Sequence, residues 1–226
     1  MIGIEWLGAD ALAEKRPAQR AFARVLVCDL DDPALDALRA TPMTDDDLRD
    51  EARPGASDRR LFRARRAVLR AFAAQCAGVE AREIVIGYDG PGAPRVHGLA
   101  LHVSAAGRGR CAALAVSSAP VGVDIEPCAP APEPIADVLH AMERVSLSAA
   151  PEDLRAALFL RVWCAKEAYL KALGEGLTRD PASVAVTLRA RDYLVAGAPP
   201  LAASSFHMAA PGGVAHLAAC ALLQAD

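Results

Sequence analysis

Hydrophobic positions in this chain come in short blocks separated by polar, glycine and proline breaks. Ala23–Leu30 (ARVLVCDL) is short, apolar and rich in Val, the pattern of a buried strand. Thr44–Asp50 predicts a short acidic helix, broken at Pro54-Gly55. Asp58 then caps a helix predicted to run to about Ala77, with Gly78 as its stop. Leu61, Val68, Phe72 and Cys76 give that helix an apolar stripe, and arginines occupy the rest of its surface. Strands are predicted at Arg82–Asp89, Leu99–Ser104, Cys111–Ser117 and Val121–Glu126. The Gly107–Gly109 turn joins the second and third of these as a hairpin, and Gly90-Pro91-Gly92 and Pro127–Pro134 read as loops.

The second half repeats the theme. A helix opens near Pro151, with Glu152 and Asp153 in its first turn where acids favour the helix dipole, and ends at Gly174. Strands follow at Ser183–Leu188, Ser204–Ala209 and Val214–Leu222, the last two separated by Pro211-Gly212-Gly213. Each half is therefore a helix plus about three antiparallel strands. The expected fold is α+β, with two similar halves (residues 1–118 and 119–226) related by a pseudo-two-fold and the active site between them. The likeness is architectural; the sequence carries no convincing repeat.

Composition narrows the function classes. With 53% hydrophobic and 23% charged residues the chain supports a buried core and is unlike a disordered composition. A net charge of −3 does not favour nucleic acid as a partner. The cluster Arg59, Arg60, Arg63, Arg65, Arg66 and Arg70 reads either as a solvated helix face or as an anion-binding one. The six cysteines form no C-x-x-C pair and no zinc-type cluster with His, which points to ordinary thiols in a reducing compartment. Met1–Asp10 lacks the basic start of a signal peptide and no apolar run has transmembrane length, so the expectation is a cytoplasmic protein without membrane contact. Of 25 basic residues only Lys15, Lys166 and Lys171 are lysines, and two of the three flank Glu167. That placement suggests a site suited to a compact ammonium.

Two constellations carry the candidate chemistry. In Gly122-Val123-Asp124-Ile125-Glu126, strand geometry puts Asp124 and Glu126 on one face, about 7 Å apart at the Cα. The pair reads either as surface acids or as oxygen ligands of the kind magnesium takes. In the stretch Trp163–Leu177 (WCAKEAYLKALGEGL), Trp163, Glu167 and Lys171 fall on one helix face. By spacing alone Glu167 and Lys171 would also serve as an ordinary surface ion pair.

Together the two constellations resemble the surfactin-type 4′-phosphopantetheinyl transferases, whose pattern is a G-[IV]-D-x-E strand followed by a W-x-x-K-E-[AS]-x-x-K-x-x-G-x-G-L helix. Both are present in full, from Gly122 to Glu126 and from Trp163 to Leu177. Looser resemblances precede them: Arg66-Ala67-Val68-Leu69-Arg70 is similar to an R-x-x-L-R helix, and Gly92-Ala93-Pro94 with Ser104 to a G-K-P…S-H-S segment. The resemblance implies transfer of the 4′-phosphopantetheine arm of coenzyme A to a serine of an apo acyl or peptidyl carrier protein. It implies Mg2+ held by Asp124, Glu126 and Glu167, with Glu167 also placed to take the serine proton. Lys171, with Lys166, would neutralise the transferring phosphoryl group. Ser104, Arg60, Arg66, Arg95 and Lys171 would bind coenzyme A. The length fits a two-half monomer rather than the short trimeric type. A coenzyme A- or carrier-binding homologue with weak or no turnover is the alternative.

Two positions depart from the pattern. The Lys of G-K-P is Ala93 and the His of S-H-S is Ala105, and both family residues contact coenzyme A phosphates. Their loss implies weaker discrimination between coenzyme A and its 3′-dephospho form, unless Arg60, Arg95, His102, Arg108 or Arg110 substitutes.

Overall fold

The computed structural model describes residues 3–13, 22–52, 58–88, 93–129, 134–209 and 214–224. Its centre is made by two β-sheets whose facing sides share one core. The larger is built from β1 (Ile4–Leu7), β2 (Ala23–Asp29), β3 (Ile86–Gly87), β4 (Arg95–Val96), β5 (His102–Arg108) and β6 (Cys111–Ser117). Its strand order is β1-β2-β6-β5-β4-β3, with β1 parallel to β2 and the other neighbours antiparallel. The smaller sheet has the order β10-β11-β7, from β7 (Val121–Pro127), β10 (Leu201–Ala209) and β11 (Ala215–Leu223), all antiparallel. β8 (Val186–Leu188) and β9 (Tyr193–Val195) form a separate hairpin.

Side-chain alternation assigns each strand two jobs. Val25, Val27, Ala113 and Ala115 of the larger sheet pack on Val123, Ile125, Ala218 and Cys220 of the smaller one. The alanines let the sheets come close. The intervening residues face outward and are covered by helices: Leu26, Leu114 and Val116 by Val68, Leu69 and Phe72 of α3, and Leu217, Ala219 and Ala221 by α5. The helices are α1 (Asp36–Arg39), α2 (Asp45–Glu51), α3 (Arg59–Ala77), α4 (Ala141–Ala149) and α5 (Glu152–Leu173).

The predicted helix ends are explained by their caps. Asp58 accepts the Leu61 N–H at 3.0 Å, and Gly78 closes α3 at φ 71° in the left-handed region open to glycine. Thr44 and Asp47 form a reciprocal capping box at the start of α2.

Several expectations need correction. Among the described residues the N-terminal half has six strands, not about three, and includes a parallel pair. The predicted strand Arg82–Asp89 is a 3-10 turn at Ala81–Glu83 followed by the two-residue β3; Asp89 lies outside the described residues. β5 runs through Gly107, so the hairpin turn is Gly109-Arg110, with Gly109 at φ 55°. Predicted strand Ser183–Leu188 opens as a 3-10 turn and pairs only from Val186. Helix α4 and strands β1, β4 and β9 have no counterpart in the sequence reading. The arginine face of α3 is not simply solvated, because Arg66 and Arg70 are buried against Asp50 and Asp47 of α2. The loops Gly90–Gly92 and Pro211–Gly213, and residues 130–133 of the Pro127–Pro134 loop, lie outside the described residues. Among the described residues no helix is long and apolar enough to cross a membrane, and all six cysteines are free.

Candidate active site

The alternation that buries Val123 and Ile125 turns Gly122, Asp124 and Glu126 toward α5. Gly122 is the point of closest approach. A Cβ there would lie 2.0 Å from the Ala168 carbonyl oxygen and 2.4 Å from the Ala172 nitrogen. With no side chain in the way, the helix backbone rests on the strand. The turn carrying Glu167 and Lys171 then sits beside Asp124.

The three groups meet in a partly dry environment. Lys171 Nζ donates to Asp124 Oδ1 at 2.8 Å and stands 3.6 Å from Glu167 Oε2. Asp124 is 1% exposed. The other carboxylate oxygens, Asp124 Oδ2 and Glu167 Oε1, are buried with no hydrogen-bond partner among the described residues. An unpartnered buried carboxylate oxygen is costly, and two beside one ammonium make a site that favours a further cation. Burial pushes the Glu167 carboxyl pKa up; Lys171 opposes the shift and the Asp124 charge adds to it. Glu167 is therefore a stronger base than an ordinary surface glutamate.

Glu126 does not join this group. Arg108 Nε donates to Glu126 Oε2 at 2.6 Å and its Nη2 takes Oε1, a bidentate pair that occupies both oxygens. Of the three expected ligands, Asp124 and Glu167 each keep one oxygen without a partner among the described residues, while Glu126 is held by Arg108. Among the described residues no three His, Cys, Asp or Glu side chains form a metal-binding group. Two free carboxylate oxygens nevertheless fit magnesium, which needs only one or two protein carboxylates when substrate phosphates complete its shell.

Lys166 is also corrected. Its side chain is fully buried on another face of α5, and Nζ reaches Glu143 Oε2 at 2.6 Å, the Val138 carbonyl at 2.8 Å and the Pro181 carbonyl at 2.9 Å. All three ammonium protons have acceptors, so no donor remains for substrate. Trp163 packs with Leu139, Phe159 and Val162 as core.

A pocket of about 330 Å³ opens between the two long helices. One wall is Phe62, Arg65, Arg66 and Leu69 of α3; the other is Lys171 with Gly174, Glu175 and Gly176; Ala93, Ser104 and Ala105 also line it. Of the residues expected to bind coenzyme A, Ser104, Arg66 and Lys171 line this pocket. Ser104 Oγ accepts the Val123 N–H at 3.1 Å, tying β5 to β7. Arg66 donates to Asp50 Oδ2 at 2.7 Å, so its charge is already matched. Arg95 lines a smaller adjacent cavity of about 200 Å³ with His102 and Lys171. Arg60 pairs with Asp31 at 2.8 Å on the surface and is not among the residues lining either cavity. Arg110 pairs with Asp29.

Arg65, one of the arginines of the cluster that sequence reads as solvated or anion-binding, also lines the pocket. Its spacing from Phe62, Arg66 and Leu69 is that of one helix face, but nothing local reveals that this face lines a cavity.

Part of the chain is similar to known proteins. Residues 120–209 match the model of the 4′-phosphopantetheinyl transferase superfamily. A 4′-phosphopantetheinyl transferase of Bacillus subtilis is 31% identical over 124 residues, 54% of this chain and 55% of that protein. The chain thus spans about half the length of the curated relative it matches. The matched segment contains the β7 acids, α5 and the Lys171 contact, so the part of the chain that is similar to this superfamily is the part that builds the Asp124–Glu167–Lys171 group.

Proposed function

We propose that this protein transfers the 4′-phosphopantetheine arm of coenzyme A to a serine hydroxyl of an apo acyl or peptidyl carrier protein, as a surfactin-type member of the superfamily. The observation that carries the reading is the pair of buried oxygens without a partner among the described residues, Asp124 Oδ2 and Glu167 Oε1, beside the ammonium of Lys171, a residue that lines the pocket. Asp124 and Glu167 would hold Mg2+, with Glu126 joining when its Arg108 pair opens. Bound there, Mg2+ supplies charge neutralisation on the pyrophosphate oxygens.

The chain's own residues account for the remaining requirements. The pocket positions the pyrophosphate beside Lys171. Glu167, its basicity raised by burial, takes the serine proton as the hydroxyl oxygen bonds to the phosphorus carrying the pantetheine arm. The bond from that phosphorus to the bridging oxygen breaks, and the electron pair leaves on adenosine 3′,5′-bisphosphate. Lys171 offsets charge that grows on the phosphoryl oxygens. Two helix-on-sheet halves meeting at this pocket are also consistent with a pseudo-two-fold divided near residue 118, in a monomeric cytoplasmic enzyme.

The test is incubation with coenzyme A, Mg2+ and an apo carrier protein. The expected result is a carrier mass gain of one phosphopantetheine arm, lost in Glu167→Gln and abolished by chelation. The Arg108–Glu126 pair, which occupies one expected ligand, favours the alternative of a binding homologue with weak turnover. Coenzyme A binding with no mass gain on any of several carriers would establish that alternative.

A further inference from the structure

Arg65 is a pocket cation with no carboxylate partner among the described residues. Among the described residues it makes no hydrogen bond or ion pair, yet it is half-buried and lines the 330 Å³ pocket. Its neighbours Arg66 and Arg108 are cations already matched by Asp50 and Glu126. One positive charge in this group is therefore left over. Burial pushes the Arg65 pKa down, the charges of Arg66 and Arg108 act in the same direction, and Tyr88 opposes them. Such a site favours an incoming anion.

Two further features place the guanidinium where a ligand would meet it. A Cβ on Gly107 would lie 2.5 Å from Arg65 Nη1, so the glycine leaves the space over β5 that the guanidinium fills. Ala93 and Ala105 line the same pocket. They stand where the family pattern has Lys and His, and their small side chains keep that space open.

We propose that Arg65 is the phosphate-binding cation of this pocket, and that it selects the 3′-phosphate monoester of coenzyme A in place of the Lys and His absent at Ala93 and Ala105. This rests on the reading of the pocket as a coenzyme A site. The pyrophosphate is assigned to the Lys171 wall by the chemistry. The monoester is the remaining dianionic group, and a guanidinium offers it two parallel donors. Arg65 thus restores the nucleotide discrimination that Ala93 and Ala105 taken alone would remove.

The experiment is calorimetric titration of the full chain with coenzyme A and with 3′-dephospho-coenzyme A, without metal. The unmodified protein is expected to bind coenzyme A about 10- to 100-fold more tightly. Arg65→Ala is expected to bring that ratio close to one, with dephospho-coenzyme A affinity unchanged. Gly107→Ala, which keeps the charge but displaces it, should lower the ratio in the same direction. It remains a test if Arg65→Ala fails to fold. A ratio near one in the unmodified protein, a ratio that survives both changes, or equal weakening of both ligands would overturn the assignment while leaving the coenzyme A site intact. No binding of either nucleotide by the unmodified protein would remove the coenzyme A reading itself, and this proposal with it.

Discussion

Lys166 and Lys171 are five positions apart on one helix and have opposite surroundings. The Lys166 ammonium is fully enclosed by Glu143 and two carbonyls, and Glu143 Oε1 also accepts the Val186 N–H at 2.7 Å. Lys166→Met strands a buried carboxylate and should cost about 3–5 kcal/mol, read by chemical denaturation. Lys171→Met should instead lower kcat with a smaller stability change, because its side chain is 28% exposed. If Lys166→Met kept full stability, the structural role assigned to that pair would be wrong. Glu167 gives the complementary case. Its carboxylate is held beside Asp124 with one oxygen unpartnered. Glu167→Gln should abolish transfer and raise Tm of the metal-free protein, a trade common where function requires crowded charge. Mg2+ alone should raise Tm of the unmodified protein by mass action and not that of Asp124→Asn, which separates metal binding from turnover. Equal shifts in the two proteins would place the ion elsewhere.

At the scale of elements, the contact that makes the site is the approach of α5 to β7. Gly122→Ala puts a methyl carbon against helix backbone, which cannot rotate away as a side chain would. The helix must retreat, at a cost of about 3 kcal/mol or more, and Glu167 and Lys171 retreat with it from Asp124. Loss of both stability and transfer is expected, and retention of either would mean that the strand rather than the helix yields. The elements that were legible share a physical cause. α3 announces itself through its Asp58 cap, its period and its glycine stop, and α5 through the acids of its first turn and its glycine stop; β7 does so through an alternation that separates two aliphatic residues from two acids. The failures share one too. β3 and β4 are two residues each, too short for a period to register. α4 was missed, and because its Glu143 is the partner of Lys166, the lysine was assigned to the wrong environment. Asp47 and Asp50 were visible as an acidic helix, but their pairing with Arg70 and Arg66 depends on packing that no local pattern contains.

The whole molecule is held together by the core shared between its two sheets, so the pocket cannot be separated from the stability of both halves. Among the described residues, Val25, Val27, Ala113 and Ala115 are covered on that face by Val123, Ile125, Ala218 and Cys220 and their neighbours in the same cluster. Ser104 bonds across to Val123, and Trp6 of β1 stacks on Phe206 of β10 with its Nε1 donating to Ser204 Oγ at 2.8 Å. The pocket walls come from α3 on one side and the end of α5 on the other, so its shape depends on how the sheets are seated. Ile125→Ala removes a fully buried side chain from the shared core and should cost about 2–5 kcal/mol. If the halves fold as one unit, Trp6 emission in a Trp163→Phe background and far-UV helicity should lose their midpoints together, by the same amount. Coenzyme A should raise both midpoints by the same amount as well, since its binding energy would be linked to one folding equilibrium. Two separated transitions, with only one moved by Ile125→Ala, would show that each sheet and helix folds independently. The pocket would then assemble by docking of preformed halves, and its affinity would follow the docking equilibrium rather than global stability.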